Sequence, residues 1–164
     1  MKITLPIKPN KSFRENARLV LPAMFDELLS HRDRVVDHPR LKDELHQMRI
    51  AGKPLRYAME IFEIAFGKTF TACLREVKDF IELLGKVHDR DVTILKLRDF
   101  IEELRLFNGN FAPKRDKISL RSMRQLIKQC QHQRAQEYAA VCSIIRKWEI
   151  ENFRQKLMTS CDNA

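Results

Sequence analysis

A row of basic side chains runs through the segment LHQMRIAGKPLRYAM at residues 45–59. The segment contains His46, Arg49, Lys53 and Arg56 and has no carboxylate. On an α-helix these four positions fall within roughly 80° of arc at about 100° per residue, so they form one narrow stripe. Cations held together without partners repel each other. The spacing therefore predicts a site for a ligand with many negative charges.

Apolar residues border this row on both sides, which is not typical of a solvated helix face. Five of them lie along one edge and three along the other: Leu45, Met48, Leu55, Met59 and Phe62 on the first, and Ile50, Tyr57 and Ile61 on the second. The borders favour ligand binding over an ordinary charged surface.

Two further basic rows follow helical spacing. The longer one has no Asp or Glu between residues 117 and 136, and Arg14 and Arg18 form a shorter i, i+4 pair near the N-terminus. Three helices that each carry a one-sided basic row could enclose a positively charged groove, in which Arg forms bidentate phosphate contacts. A solvated face is the alternative interpretation of each row. The longer row consists of Lys117, Arg121, Arg124, Lys128 and His132.

Composition indicates a basic helical protein. The chain has 164 residues, 44% of them hydrophobic, with 31 Lys and Arg against 22 Asp and Glu, which gives a net charge of +9. Such a charge points to nucleic acid, a phosphate polymer or an acidic membrane as the partner. No apolar run approaches the ~20 residues of a membrane span, and no signal-peptide core is visible, so we expect a cytoplasmic protein without a membrane partner.

Periodicity predicts an all-α fold: a four-helix-bundle unit followed by a long C-terminal helix or helical hairpin. A capping box of Ser12 and Glu15 should open the first helix, Gly67 and Gly85 should end the second and third, and Asp89 should cap the fourth. The first four helices are expected at about Phe13–Val36, Arg40–Phe66, Thr69–Leu84 and Arg90–Phe107.

The C-terminal part has no Gly or Pro between Ser119 and Thr159, which fits one long helix or two helices broken near Arg146. The linker before it is expected at Asn108–Asp116. We divide the chain into a lead-in segment at 1–11, a single helical domain at 12–159 and a C-terminal tail at 160–164.

Catalytic and metal-binding signatures are weak. The pair His88-Asp89 is also found in metal phosphohydrolases, but no further ligands follow at a workable spacing, and a helix cap by Asp89 is the alternative. No Gly-rich phosphate loop or paired catalytic carboxylates occur. Four cysteines lack CxxC spacing and are expected as free thiols rather than zinc ligands or disulfides: Cys73, Cys130, Cys142 and Cys161. We therefore expect no catalytic residue, no metal and no cofactor.

Two long spaced motifs resemble the CHAD domain, the conserved histidine α-helical domain. The first is His46-x-x-Arg49-x-x-x-Lys53-x-Leu55-Arg56-Tyr57, and the second is Leu84-Gly85-x-x-His88-Asp89-x-Asp91-Val92. The resemblance implies non-catalytic binding of inorganic polyphosphate by basic residues that line a cavity. It assigns the ligand role to the four residues of the first motif, whereas Arg121, Arg124 and Lys128 are proposed from periodicity alone.

The chain departs from that family in two ways. Family domains usually hold two such helical units, whereas one is visible here, and a symmetric homodimer would restore the pair. His88 also stands where the family more often has Arg or Asn. The leading hypothesis is a polyphosphate-binding module, and association with polyphosphate granules is one expected role. A nucleic-acid-binding helical protein is the first alternative, and a metal-dependent phosphohydrolase that uses His88-Asp89 is the second.

Overall fold

The computed structural model describes residues 6–110 and 118–162, and no strand occurs among them. The all-α prediction is confirmed. A 3₁₀ turn at Glu63–Ala65 connects two of the six helices, which are α1 (Phe13–Leu29), α2 (Arg32–Val35), α3 (Lys42–Phe62), α4 (Lys68–Asn110), α5 (Arg121–Ile150) and α6 (Phe153–Asp162).

The predicted capping box opens α1. The backbone N–H of Glu15 donates to Ser12 Oγ at 3.3 Å, and the Ser12 N–H donates to Glu15 Oε2 at 2.8 Å. The predicted end at Val36 is wrong, because α1 stops at Leu29, where the Ser30 hydroxyl donates to the Glu27 carbonyl at 2.7 Å. The short helix α2 then follows.

Helix α3 is continuous through Gly52 and Pro54, both of which lie inside it. Gly52 is buried where α1, α3 and α4 meet. A Cβ at this position would collide with Ile81 Cδ1 and would lie 3.2 Å from Leu28 Cδ1. The missing side chain therefore allows the three helices to approach closely.

Helix α4 is one helix of 43 residues, so the predicted break between a third and a fourth helix is wrong. Gly85 does not end a helix, and Asp89 does not cap one. Buried residues recur at helical spacing on both sides of Gly85, at Leu84, Val87 and Ile94. Their packing outweighs the ~1 kcal/mol that a glycine costs inside a helix.

The C-terminal part forms two helices, α5 and α6, which is one of the two predicted alternatives, but the break is at Glu151–Asn152 rather than near Arg146. Asn152 adopts a left-handed conformation, with φ of 46°, which asparagine tolerates better than most residues. Helix α6 extends past Thr159 and buries Ser160 and Cys161. Residues 160–162 are thus helical rather than a tail.

The linker expected at Asn108–Asp116 begins inside α4, which includes its first three residues. The rest of that linker lies outside the described residues.

The hydrophobic core combines α1, α3 and α6 with the first half of α4 and the second half of α5. Trp148 is at its centre, with ring centroids 5.6 Å from Phe25 and 4.7 Å from both Phe80 and Phe153. The remaining halves of α4 and α5 run antiparallel as a two-helix arm beyond this core. Ile94, Ile101 and Cys130 are the buried residues of the arm.

Candidate functional site

The residues His46, Arg49, Lys53 and Arg56, here named the α3 row, lie along the side of α3 that meets α4. The His46 ring stacks on His88 of α4, with centroids 5.0 Å apart and an interplanar angle of 24°. Arg49 lies beside Gly85, where a Cβ would be 3.6 Å from Arg49 Nε. All four side chains of the row are half-buried. The antiparallel pairing of α3 and α4 therefore fixes one border of the row.

Positive charge in the α3 row is largely uncompensated. Among the described residues, Arg49 and Lys53 form no ion pair or hydrogen bond with a carboxylate. Arg56 Nε is 3.5 Å from Glu60 Oε1, and that same oxygen lies 3.1 Å from Lys78 Nζ of α4. The Glu60 carboxylate is thus shared by Arg56 and Lys78, and no carboxylate pairs with Arg49 or Lys53 among the described residues.

Buried donor atoms in the row also lack partners. Arg49 Nε, Arg56 Nε and His46 Nδ1 are covered by protein yet form no hydrogen bond in the described part of the chain. An unsatisfied buried polar group costs about 1–3 kcal/mol. An anion bound beside the exposed parts of these side chains would reduce the repulsion between them.

The two apolar edges of the row have different surroundings. The edge that begins at Leu45 is buried and forms part of the core. The opposite edge is exposed, with 45% of Ile50, 49% of Tyr57 and 64% of Ile61 accessible. The row therefore separates the core from an apolar surface.

Arg18 has a structural role at the end of α6. Its guanidinium donates from Nε and Nη2 to the Cys161 carbonyl at 3.2 and 3.0 Å and pairs with Asp162 at 3.1 Å. Cations stabilise the C-terminus of a helix, where carbonyls lack intrahelical partners. Arg14 lies 6.0 Å from the centre of the Phe66 ring, which follows the C-terminal end of α3 and its 3₁₀ turn.

The basic row of α5 lies on the arm. Arg121, Arg124 and Lys128 are exposed, and the depressions that they border are lined by α5 residues alone. The depression beside His46 and His88 is lined by residues of α3 and α4 instead. The two rows therefore border different surfaces. Lys117, at the start of the predicted row, lies outside the described residues.

Sequence reasoning missed the contribution of α4 to the α3 row. The sequence alone links His88 to the neighbouring Asp89, as part of a helix cap or a metal pair. In one continuous helix, however, Lys78, Gly85 and His88 fall close to one face at i, i+7 and i+10, and that face meets α3. The heptad relation of Lys78 and Gly85 is the signal that could have revealed this face.

The cysteines and the metal-ligating side chains were the other candidates for a chemical role. All four cysteines are free and buried, and burial is the largest cause that raises the pKa of Cys161 to about 11. The free-thiol prediction is confirmed. Within residues 6–110 and 118–162, no three His, Cys, Asp or Glu side chains are arranged to hold a metal ion.

None of the described helices combines the length and the apolar character needed to cross a membrane.

Comparison with known proteins identifies the family. Comparisons with curated proteins and with solved structures give no match. The family model of the CHAD domain matches residues 19–163, which is nearly the whole chain and includes the α3 row and α4. The chain therefore belongs to the CHAD domain family.

Proposed function

We propose that this protein binds inorganic polyphosphate along the α3 row and does not catalyse a reaction on it. The observation that carries the proposal is that Arg49 and Lys53 lie half-buried between the core and an apolar edge without a carboxylate partner among the described residues. Family membership supports it, because the CHAD domain is associated with polyphosphate binding.

The dimensions of the row suit a linear polyanion. His46 and Arg56 are ten residues apart, which corresponds to about 15 Å along a helix. Several successive phosphate groups can lie along that length. Arg49 and Arg56 offer planar forks of donors, and Lys53 offers a compact charge between them. His46 and His88 can each donate from a ring nitrogen at one end of the row.

Two copies of the chain would pair around one polyphosphate chain in this proposal. The edge of Ile50, Tyr57 and Ile61 is exposed directly beside the row, so a second copy that packs there brings its own row to the ligand. Each chain carries a net charge of +9, which opposes association. Pairing should therefore require the polyanion, and sedimentation with and without polyphosphate would detect it.

Titration with polyphosphate of defined length tests the function, with DNA of equal charge as competitor. We expect tight binding that weakens steeply as salt is added, by analogy with counterion release from nucleic acids. Single- and double-stranded DNA should fail to displace the ligand. Easy displacement by DNA would instead favour a nucleic-acid-binding protein, and absence of binding would contradict the proposal.

A further inference from the structure

One side of α5 in the arm carries a row of exposed cations. Cys130 marks the buried side of the helix there. Arg121, Lys128 and His132 lie roughly 160–200° around the helix axis from Cys130, at about 100° per residue. All three side chains are exposed, and so is Arg124 beside them. The basic row of α5 therefore points away from α4, which packs against the other side of the helix.

The cations of this row have no carboxylate to neutralise them. No Asp or Glu occurs between residues 118 and 136, and Arg121, Arg124 and Lys128 form no ion pair within the described residues. The depressions along this side are lined by residues of α5 alone. An extended and uncovered positive surface is thus available to a large polyanion.

Glutamine side chains border the row and indicate which kind of polyanion fits. Gln125, Gln129 and Gln136 are exposed along one edge of it, and the first two line the same depression as Lys128. A glutamine amide offers both donors and an acceptor. An ionised phosphate chain presents acceptors only, whereas the base edges of a nucleic acid present donors and acceptors together. The mixture of cations and amides therefore fits a nucleic acid better than polyphosphate.

We propose that α5 binds duplex DNA by lying in its major groove. Arg121 and Gln136 are fifteen residues apart, which corresponds to about 22 Å along the helix. An α-helix with its side chains is about 10–12 Å across, and the major groove is about 12 Å wide. The cations contact backbone phosphates and set the position of the helix. Gln125 and Gln129 meet base edges, where an amide forms two hydrogen bonds with adenine.

This surface is separate from the α3 row, so the inference does not rest on polyphosphate binding. The depression beside His46 and His88 is lined by α3 and α4 and shares no residue with the depressions on α5. DNA bound to α5 should therefore leave polyphosphate in place along the α3 row.

Fluorescence anisotropy with a short labelled DNA duplex, measured at several salt concentrations, tests the inference. We expect Arg121→Gln with Lys128→Gln to weaken binding at least tenfold and to reduce the slope of log affinity against log salt by about 1.8, since each phosphate contact contributes about 0.9. The matched control is Arg75→Gln with Lys96→Gln. It removes the same charge from exposed positions of α4, and it should change affinity less than about twofold.

The glutamines have a different signature from the cations. Gln125→Ala with Gln129→Ala should weaken DNA binding several-fold and leave the salt dependence unchanged, because base contacts release no counterions. Circular dichroism should show that each variant is folded. Unchanged affinity in the glutamine variant would overturn the proposed base contacts, and equal affinity in the Arg121→Gln/Lys128→Gln variant and its control would overturn the site.

Competition in Arg49→Ala/Arg56→Ala protein tests the groove. Methyl green, which occupies the major groove, should displace the protein from DNA, whereas netropsin, which occupies the minor groove, should not. Duplex RNA should compete weakly, because its major groove is deep and narrow. Competition by netropsin alone, or equal competition by duplex RNA and polyphosphate at the same charge, would overturn the inference.

The same Arg49→Ala/Arg56→Ala protein separates this inference from the function of the α3 row. Wild-type affinity for DNA together with weakened polyphosphate binding would support both proposals. DNA binding through α5 in a wild type that binds no polyphosphate would leave this inference standing and the α3 row proposal wrong. Polyphosphate binding without DNA binding would do the reverse, and loss of DNA binding in the α3 row variant would overturn the placement on α5.

Discussion

Arg49 lies against Gly85 across the interface of α3 and α4, so closely that a Cβ on Gly85 would be 3.6 Å from Arg49 Nε. That distance is an ordinary van der Waals contact. The guanidinium of Arg49 is half-buried and has no carboxylate partner in the described part of the chain, and a side chain larger than alanine at position 85 would meet it. In the proposed site, polyphosphate binding requires Arg49 to keep this position.

Substitution of Gly85 should separate stability from binding. Gly85→Ala fits beside Arg49 and should stabilise the protein by ~0.5–1 kcal/mol, because alanine favours the helix. Gly85→Leu should displace Arg49 and weaken polyphosphate binding. Thermal unfolding and titration measure the two effects. Gly109→Leu is the control, since a Cβ there would meet no neighbouring element within 4 Å in the described part of the chain, and equal losses of affinity in both leucine variants would disprove the role of the Arg49 contact.

Gly52 should tolerate alanine only when Ile81 is shortened. A Cβ at Gly52 collides with Ile81 Cδ1, so overpacking should exceed the gain in helix propensity and leave a net loss of about 1–2 kcal/mol. Ile81→Val removes that carbon atom. In a double-mutant cycle by denaturant unfolding, the two changes together should cost less than the sum of their separate costs. Strict additivity would show that the two residues are not in contact.

Local patterns predicted the all-α class, the start of α1 and the composition of the α3 row. These features depend on residues close in sequence, such as Ser12 with Glu15 or His46 with Arg49. The course of α4 depends instead on packing along its whole length. Glycine is common at the ends of helices. Gly85 nevertheless lies inside α4, because the buried residues on either side of it pack against the rest of the protein.

The relative placement of the basic rows could not be predicted for the same reason. Arg18 and Cys161 are 143 residues apart in sequence, and nothing near Arg18 indicates that it meets the end of α6. His88 likewise joins the α3 row only because α4 is continuous. Pairings across long separations are set by the tertiary packing, which local periodicity does not encode.

His88 should contribute to binding and not to hydrolysis. We expect His88→Leu to weaken polyphosphate binding about fivefold, which corresponds to roughly 1 kcal/mol for one lost hydrogen bond. Asp99→Asn is the control on the same helix and should cause no loss, because Asp99 is exposed and forms no ion pair among the described residues, whereas Asp89 Oδ1 lies 3.3 Å from His88 Nδ1. Phosphate release should stay at background in wild-type protein supplied with divalent metal ions. Metal-dependent release that disappears in His88→Leu would instead support the phosphohydrolase hypothesis.

Labelling of Cys161 should report on Arg18. Burial raises the pKa of the Cys161 thiol to about 11, so alkylation at pH 8 should be slow in the folded protein. Arg18→Gln removes the bonds to the Cys161 carbonyl and the pair with Asp162. We expect labelling about tenfold faster, from a loss of roughly 1.5 kcal/mol at the end of α6.

Mass spectrometry of alkylated peptides would locate that change. Arg14→Gln is the matched control on α1, since Arg14 lies beside Phe66 and forms no hydrogen bond or ion pair with α6 among the described residues, and it should label at the wild-type rate. Unchanged labelling in Arg18→Gln would show that this arginine does not hold the end of α6.

The most direct test of the central claim is polyphosphate titration of Arg49→Ala/Arg56→Ala at moderate salt. Circular dichroism and thermal unfolding should first show that the variant is folded. The control, Arg75→Ala with Lys96→Ala, removes two exposed cations from α4 and should bind almost as well as the wild type. We expect the α3 row variant to lose most of its affinity for long-chain polyphosphate, and wild-type affinity in that folded variant would contradict the account.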